Sequence, residues 1–590
     1  MQLPFTTTAV LLMACNALAG VVQPISVPAV HLRNGTVVGK YIESHNQDAF
    51  LGIPFAQPPI GDLRFNAPQS ISEGWKSPLN ATAYGAHCIN YLLGLPLDPA
   101  DLATRYPQSE DCLTINVVRP AGTKPNARLP VLTYIYGGGF QEGGSADARY
   151  NTTALVDKSV QIGQPSIVVT MNYRLQGWGF LAGDEARKQG LLNLGIQDQR
   201  LALRWIQENI EAFGGDHRRV TIQGESAGAL SVGFHLLANG GRDDGLFNAA
   251  ICQSGGPYNA LSFPSDAQSQ KTYESVLKAI NCTDASDTLK CLRAAPFDTL
   301  NKAFASLSFL PVIDGTLVPE YTSTALASGR FVKVPLLIGA NTDEGKVFAG
   351  MGVNTTEEFA GFIEKYPYVH TTTNATIRDL LEAYPEPGTN STHGQSDDTL
   401  PVSAPYGAQF LRAARYTGDV MFIAGRRYTC EIWAHYGVPC YSYRFNTIPG
   451  ATDPLYLGAT HFEEVAFVFD NVLGLGMPSN AFDVEPAERK QSYKQLGDTM
   501  SRMWMSFSAT HSPNNHRGIF FSMYQSTFQK IFANICVLQV KSMRTLWPAY
   551  NLKNPQNMVF DGNITSFVEK DDWRIDALKL IIERSSDFSR

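Results

Sequence analysis

Between Leu129 and Ser254 the chain alternates short apolar runs with helical patterns, and no other feature limits the fold so strongly. Leu129 to Tyr136 (LPVLTYIY) and Ser166 to Asn172 (SIVVTMN) are apolar on both faces, as strands buried in a parallel sheet must be. Asn193 to Phe213 sets Leu201, Leu203, Trp205, Ile206 and Ile210 along a helical pattern. Val220-Thr221-Ile222-Gln223 is a short strand that runs into a glycine-rich turn and a new helix. Strands that alternate with helices in this way form βαβ units, because parallel neighbours can be joined only by crossovers. The expected fold is α/β, with a large, mostly parallel central sheet flanked by helices. With 590 residues, 44% of them hydrophobic, a large core is available. Neither an internal repeat nor a long low-complexity linker divides the chain, so residues 20–590 are expected to form one domain with long insertions.

The glycine-rich turn is Gly224-Glu225-Ser226-Ala227-Gly228, a G-x-S-x-G pattern between a strand and a helix. A serine hydroxyl attacks poorly unless a base takes its proton. A tight strand-to-helix turn exposes that oxygen and aims a helix N-terminus at the reacting centre, and this context makes Ser226 the candidate nucleophile. Gly137-Gly138-Gly139-Phe140 follows the LPVLTYIY strand directly. The backbone N–H groups of Gly138 and Gly139, with that of Ala227, could converge on the negative oxygen of an acyl-transfer intermediate. One such donor is typically worth about 3–4 kcal/mol in the transition state.

Charge and cysteine usage bound the setting. Net charge is −7 without a basic cluster, which argues against nucleic acid and anionic membranes as partners. Residues 1–19 read as a secretory signal: Ala9 to Cys15 is apolar, and Ala17-Leu18-Ala19 gives a small-x-small cleavage pattern. No other stretch is apolar enough for a stable membrane anchor, so a secreted, extracellular protein is expected. Asn-x-Ser/Thr sequons at Asn34, Asn80, Asn151, Asn281, Asn354, Asn374, Asn390 and Asn563 fit export. So do the cysteines: Cys282 and Cys291 could staple a short loop, Cys88 and Cys112 a longer one, and Cys430 and Cys440 a third. Spacing alone leaves that connectivity open. Cys252, in an apolar run, reads as a buried free thiol.

Further segments carry a resemblance over nearly the whole mature chain. They are Phe50-Leu51-Gly52-Ile53-Pro54-Phe55-Ala56, Leu63-Arg64-Phe65, Glu110-Asp111-Cys112-Leu113, Asn172-Tyr173-Arg174, Gly195-Ile196-Gln197-Asp198-Gln199 and Phe213-Gly214-Gly215-Asp216, together with the serine motif. With these the chain resembles the type-B carboxylesterases, a family that includes cholinesterases and fungal extracellular lipases. The resemblance implies an α/β-hydrolase fold, carboxylic-ester hydrolysis through an acyl-enzyme, and no metal or organic cofactor. It implies Glu344 of Asn341-Thr342-Asp343-Glu344-Gly345 as the acid, with Asp343 its rival. It also implies His461 of Gly458-Ala459-Thr460-His461 as the base. The order Ser226, Glu344, His461 is that of α/β-hydrolases. The disulfides it implies are Cys88–Cys112 and Cys282–Cys291, the first closing a lid or gorge-wall loop that contains Tyr91 to Leu97.

Substrate readings follow from the same resemblance. Cholinesterases hold a quaternary ammonium on a Trp in this loop; here the loop has Tyr91 and Tyr106 but no Trp, so choline esters are not expected. Ala305 and Leu307 are the expected acyl-pocket residues, leaving room for a larger acyl group, and Phe140 and Phe309 are further expected substrate-binding residues. Only 23 residues separate Cys88 from Cys112, a short lid, so soluble or modest-chain esters are expected as small-molecule substrates. An interfacial triacylglycerol lipase, acting on lipid esters, is the alternative, and a non-catalytic binding protein of the same fold a more remote one. Gly518 to Gln539 departs from the family pattern. This nearly uncharged stretch reads as a translated, unspliced intron, its rival being a genuine apolar surface insertion.

Overall fold

The computed structural model describes residues 27–96, 98–371, 373–387, 406–517 and 545–590. The expected signal segment 1–19, Leu97, the Asn390 sequon and the 518–539 insertion lie outside these residues. Among the described residues the central sheet has 11 strands. In chain order they are β1 (Lys40–Ile42), β2 (Gln47–Pro54), β3 (Thr114–Pro120), β4 (Leu129–Ile135), β5 (Ile167–Met171), β6 (Gly215–Glu225), β7 (Ala249–Gln253), β8 (Leu336–Asn341), β9 (Cys440–Phe445), β10 (Gln556–Phe560) and β11 (Phe567–Lys570). Their order across the sheet is β11-β10-β9-β8-β7-β6-β4-β5-β3-β2-β1. From β10 to β5 all neighbours run parallel, while pairs towards both edges are antiparallel. Every residue of β5, β7 and β8 is buried, which explains their unbroken apolar reading.

Four helices matter for the site: α1 (Leu194–Asn209), α2 (Ala227–Gly241), α3 (Ala487–Thr510) and α4 (Ile575–Glu583). Helix α2 leaves β6 and lies against β4, β6 and β7, while α3 covers β4 and β6 with Met500, Trp504 and Phe507 in the core. Strand order reverses at β4, which has β5 on one side and β6 on the other. The loops leaving the carboxyl ends of β4 and β6 diverge there and open a crevice, the usual place for a ligand in such a sheet. Disulfides join Cys88 to Cys112, Cys282 to Cys291 and Cys430 to Cys440, and Cys252 is a buried free thiol. No helix among the described residues is long and apolar enough to cross a membrane. On either side of the 518–539 insertion, the side-chain amide of Asn514 clasps the backbone of Trp547 twice, at 2.9 and 2.8 Å.

Candidate active site

Ser226 sits between the end of β6 and the start of α2 with φ 55° and ψ −124°, a conformation that costs about 1–3 kcal/mol outside a constraining frame. The frame consists of close backbone contacts. A Cβ on Gly224 would fall 2.3 Å from the Gly228 carbonyl, and one on Gly228 would fall 2.0 Å from the Ile135 carbonyl. Only glycine at both positions lets the turn press against the end of β4. The Ser226 N–H is spent on the Gln253 carbonyl of β7, at 2.9 Å. Its side chain is thereby turned towards the crevice, where Ser226 is half-buried while its neighbours are buried.

Gly138, Gly139 and Ala227 line the same crevice as Ser226. Gly138 takes φ 92°, and its carbonyl accepts from the N–H groups of Gln141 and Glu142, so the turn after β4 closes on itself. Among the described residues, none of the N–H groups of Gly138, Gly139 and Ala227 donates to another backbone group.

His461 is buried, and its Nδ1 lies 2.7 Å from Glu344 Oε2. The other oxygen of Glu344 accepts from Ser254 Oγ at 2.5 Å and from the Asn341 N–H at 2.7 Å. Hydrogen bonds to a charged group are worth about 1.5–3 kcal/mol each, enough to fix this carboxylate. Asp343, its rival, faces away: it accepts from the Ala459 N–H and pairs with Lys346 at 3.1 Å. A further buried layer lies behind. The Asn341 amide donates to the Thr460 carbonyl at 2.6 Å and to Glu464 at 2.7 Å, and Gln253 donates to Glu464 at 3.0 Å. The Gln253 side-chain oxygen in turn accepts from Gln223 and Trp504. Gln223, Gln253, Ser254, Asn341 and Glu464 thus support the site without having been singled out for it. Their signal was polar side chains at the carboxyl ends of otherwise apolar strands, and the acidic pair after His461.

On the open side, His461 Nε2 has no hydrogen-bond partner among the described residues and lies 3.3 Å from Glu225 Oε1. Burial works against a charged imidazole, but the carboxylates of Glu344, Glu225 and Glu464 outweigh it and push His461 up to about 9. Glu225 is itself held well above the usual carboxylate range, first by burial. A neutral Glu225 removes one of the charges that raise His461, so the two groups titrate as a linked pair.

The walls of the crevice are mostly apolar: Leu93 and Leu95 of the Cys88–Cys112 loop, Leu230, Leu261, Leu310, Phe348, Met421 and Phe422. The loop is tied down where Glu142 accepts from the Leu93 N–H at 2.6 Å. Burial, with Asp98 nearby, pushes Glu142 up to about 8. The four residues expected to bind substrate do not line the crevice. Phe140 is fully buried, turned into the core against Phe180 and Phe234 by its left-handed backbone. Ala305 caps the short helix Phe297–Phe304 and is exposed. Leu307 is partly buried against the core, and Phe309 packs edge-on against Phe304. Leu310 reaches the crevice instead.

A family model described as "Carboxylesterase family" matches residues 26–570. "Lipase 4" of Diutina rugosa is 40% identical over 444 residues, covering 69% of this chain and 78% of that protein. "Secreted triacylglycerol lipase LIP1" of Gibberella zeae is 36% identical over 491 residues, covering 77% and 79%. Among solved structures, EstA of Aspergillus niger superposes with a TM-score of 0.76 at 28% identity, over 96% of this chain and 99% of that one. Its fold is that of the α/β-hydrolase esterases. The chain belongs to the carboxylesterase family and is a carboxylic-ester hydrolase.

Proposed function

We propose that Ser226 attacks the ester carbonyl while His461 takes its proton, with Glu344 holding the imidazole and steadying its charge. The N–H groups of Gly138, Gly139 and Ala227 then bind the oxyanion. His461 returns the proton to the leaving alcohol, an acyl-enzyme on Ser226 remains, and water resolves it by the reverse sequence. One observation carries this reading: the 2.7 Å contact of His461 Nδ1 with a carboxylate fixed from behind, on a ring whose other nitrogen faces the crevice of a strained, half-buried serine. Hydrolysis of p-nitrophenyl esters of graded chain length tests it, with wild type beside Ser226→Ala. The variant is expected to lose roughly 10⁴–10⁶ in kcat. A variant as active as wild type would refute the serine mechanism.

The substrate reading is an esterase on soluble, modest-chain esters, favoured by a pocket-lining loop closed over only 24 positions and fastened to Glu142. Interfacial lipase action is the second reading, favoured by the lipase relatives. Emulsified long-chain triglyceride, hydrolysed faster than soluble short esters, would select it. Export fits the relatives named as secreted lipases and the disulfides. Residues 518–539 are dispensable in this reading, because Asn514 and Trp547 already hold the two flanks together. If every mature transcript encodes them, the intron origin is wrong.

A further inference from the structure

Residues 419–423 form a π-helical turn between the helices Phe410–Gly418 and Ala424–His435. Such a turn is rare and is frequently found at functional sites. Here it carries Met421 and Phe422 into the wall of the crevice, and the Phe422 ring stacks on His461 at 4.6 Å and 27°. The opposite strip of wall comes from Ala260 and Leu261.

Two arginines flanking α4 hold this arrangement from behind. Arg574 donates to both oxygens of Asp419, one at 2.6 Å, and Tyr384 OH donates to the same carboxylate at 2.7 Å. Arg590 is fully buried. Its Nη1 donates to the Val420 carbonyl at 2.5 Å and reaches the carbonyls of Ala260 and Asn259 at 3.3 and 3.4 Å. Its Cζ lies over the rings of Tyr258 and Phe588, 5.0 and 5.1 Å from their centroids. The Ser323 hydroxyl donates to the Arg590 carbonyl. One buried cation thus fastens the backbone behind both strips of wall.

We propose that Arg590 is a positioning residue for substrate choice: by gripping the carbonyls of Val420, Ala260 and Asn259, it sets the gap between the Met421–Phe422 and Ala260–Leu261 walls, and with it the ester chain length accepted. This rests on the serine-esterase reading of the same site. All three contacts come from Nη1, the one to Val420 being the shortest, and Nε and Nη2 have no hydrogen-bond partner among the described residues; a lysine could keep this single donor but would lose the broad contact with the two rings. Losing the grip lets the π-turn relax. The wall then shifts, and Phe422 no longer shields His461.

The test compares wild type, Arg590→Met, Arg590→Lys and Ser323→Ala by kcat and KM on p-nitrophenyl esters from acetate to laurate, with pH profiles. Arg590→Met is expected to change the ratio of kcat/KM between the longest and shortest ester by about ten-fold, the scale of a pocket altered by about one methylene. Arg590→Lys should fall in between. The acid limb should move to lower pH in Arg590→Met, because water reaching His461 screens the carboxylates that hold its pKa above the ordinary 6.5. An equal loss at every chain length with an unmoved pH profile would overturn the proposal. If Arg590→Met does not fold, Ser323→Ala and Arg590→Lys decide: a shifted ratio supports the proposal, and an unchanged ratio in both overturns it. A wild type inactive on every ester would instead remove the esterase reading, so the two failures are distinct.

Discussion

The floor of the crevice and its walls are built by different physics. The floor is assembled from the carboxyl ends of β4, β6, β7 and β8, and its polar groups bind one another: Ser226 N–H to Gln253, Gln253 to Glu464, Glu464 to Asn341, Asn341 to Glu344. Directional bonds in a buried network fix atoms tightly and penalise any missing member. The walls come from a disulfide loop, the segment around Leu310 and a π-helical turn, and they present mostly apolar groups. Apolar packing tolerates exchange of shape at small cost. Chemistry therefore resides in the floor and preference in the walls, and substitutions on the two sides should differ in kind as well as in size.

The largest expected effect belongs to the floor. Glu344→Gln should keep its volume but lower kcat by roughly 10³–10⁴ on every ester, since the imidazole loses the partner that fixes its orientation and charge. A loss confined to long esters would break the distinction. In the wall, Leu310→Ala should change the long-to-short ratio of kcat/KM by about 10–200-fold and leave the best kcat within a few-fold. A uniform collapse of kcat would place Leu310 in the floor after all.

Glu225 stands where the two regions meet. His461 must be neutral to accept a proton, so activity rises with pH through the His461 pKa. Since carboxylates raise that pKa to about 9, the acid limb of kcat/KM should lie above an ordinary imidazole's 6.5. Removing the Glu225 charge by Glu225→Gln should lower the limb, as followed by kcat/KM from pH 5 to 10. An unmoved limb would mean that Glu225 is already neutral throughout. The smallest effect is expected from deleting residues 518–539. Shortening a loop whose flanks are already clasped changes closure entropy by only about 0.6 kcal/mol per halving. Thermal unfolding of the deleted chain should stay near that of wild type, and a large loss would make the segment part of the fold.

The two regions also differ in how far the sequence discloses them. Alternating runs disclosed β4 to β6, and the glycines around Ser226 are dictated by backbone contacts as close as 2.0 Å, so their spacing is a local requirement. Glu344 and His461 have no local signature of that kind, and only the family resemblance picked them out. The layer beneath was hidden because Gln223, Gln253 and Asn341 sit singly at strand ends and meet only once the strands pair. The walls were least legible: Leu93, Leu310 and Met421 are far apart in sequence, and nothing local says that they converge. Position near a motif misled for Phe140, which follows the three glycines yet points into the core with φ 61°.

The central claim is that Ser226 carries the acyl group, and active-site labelling with an aryl phosphate ester tests it most directly. The account predicts one equivalent of phenol released in a burst. It also predicts a phosphoryl adduct mapped by mass spectrometry to the peptide containing Ser226, with neither seen in Ser226→Ala. Ester turnover by a chain labelled at another residue, or turnover retained in Ser226→Ala, would contradict it.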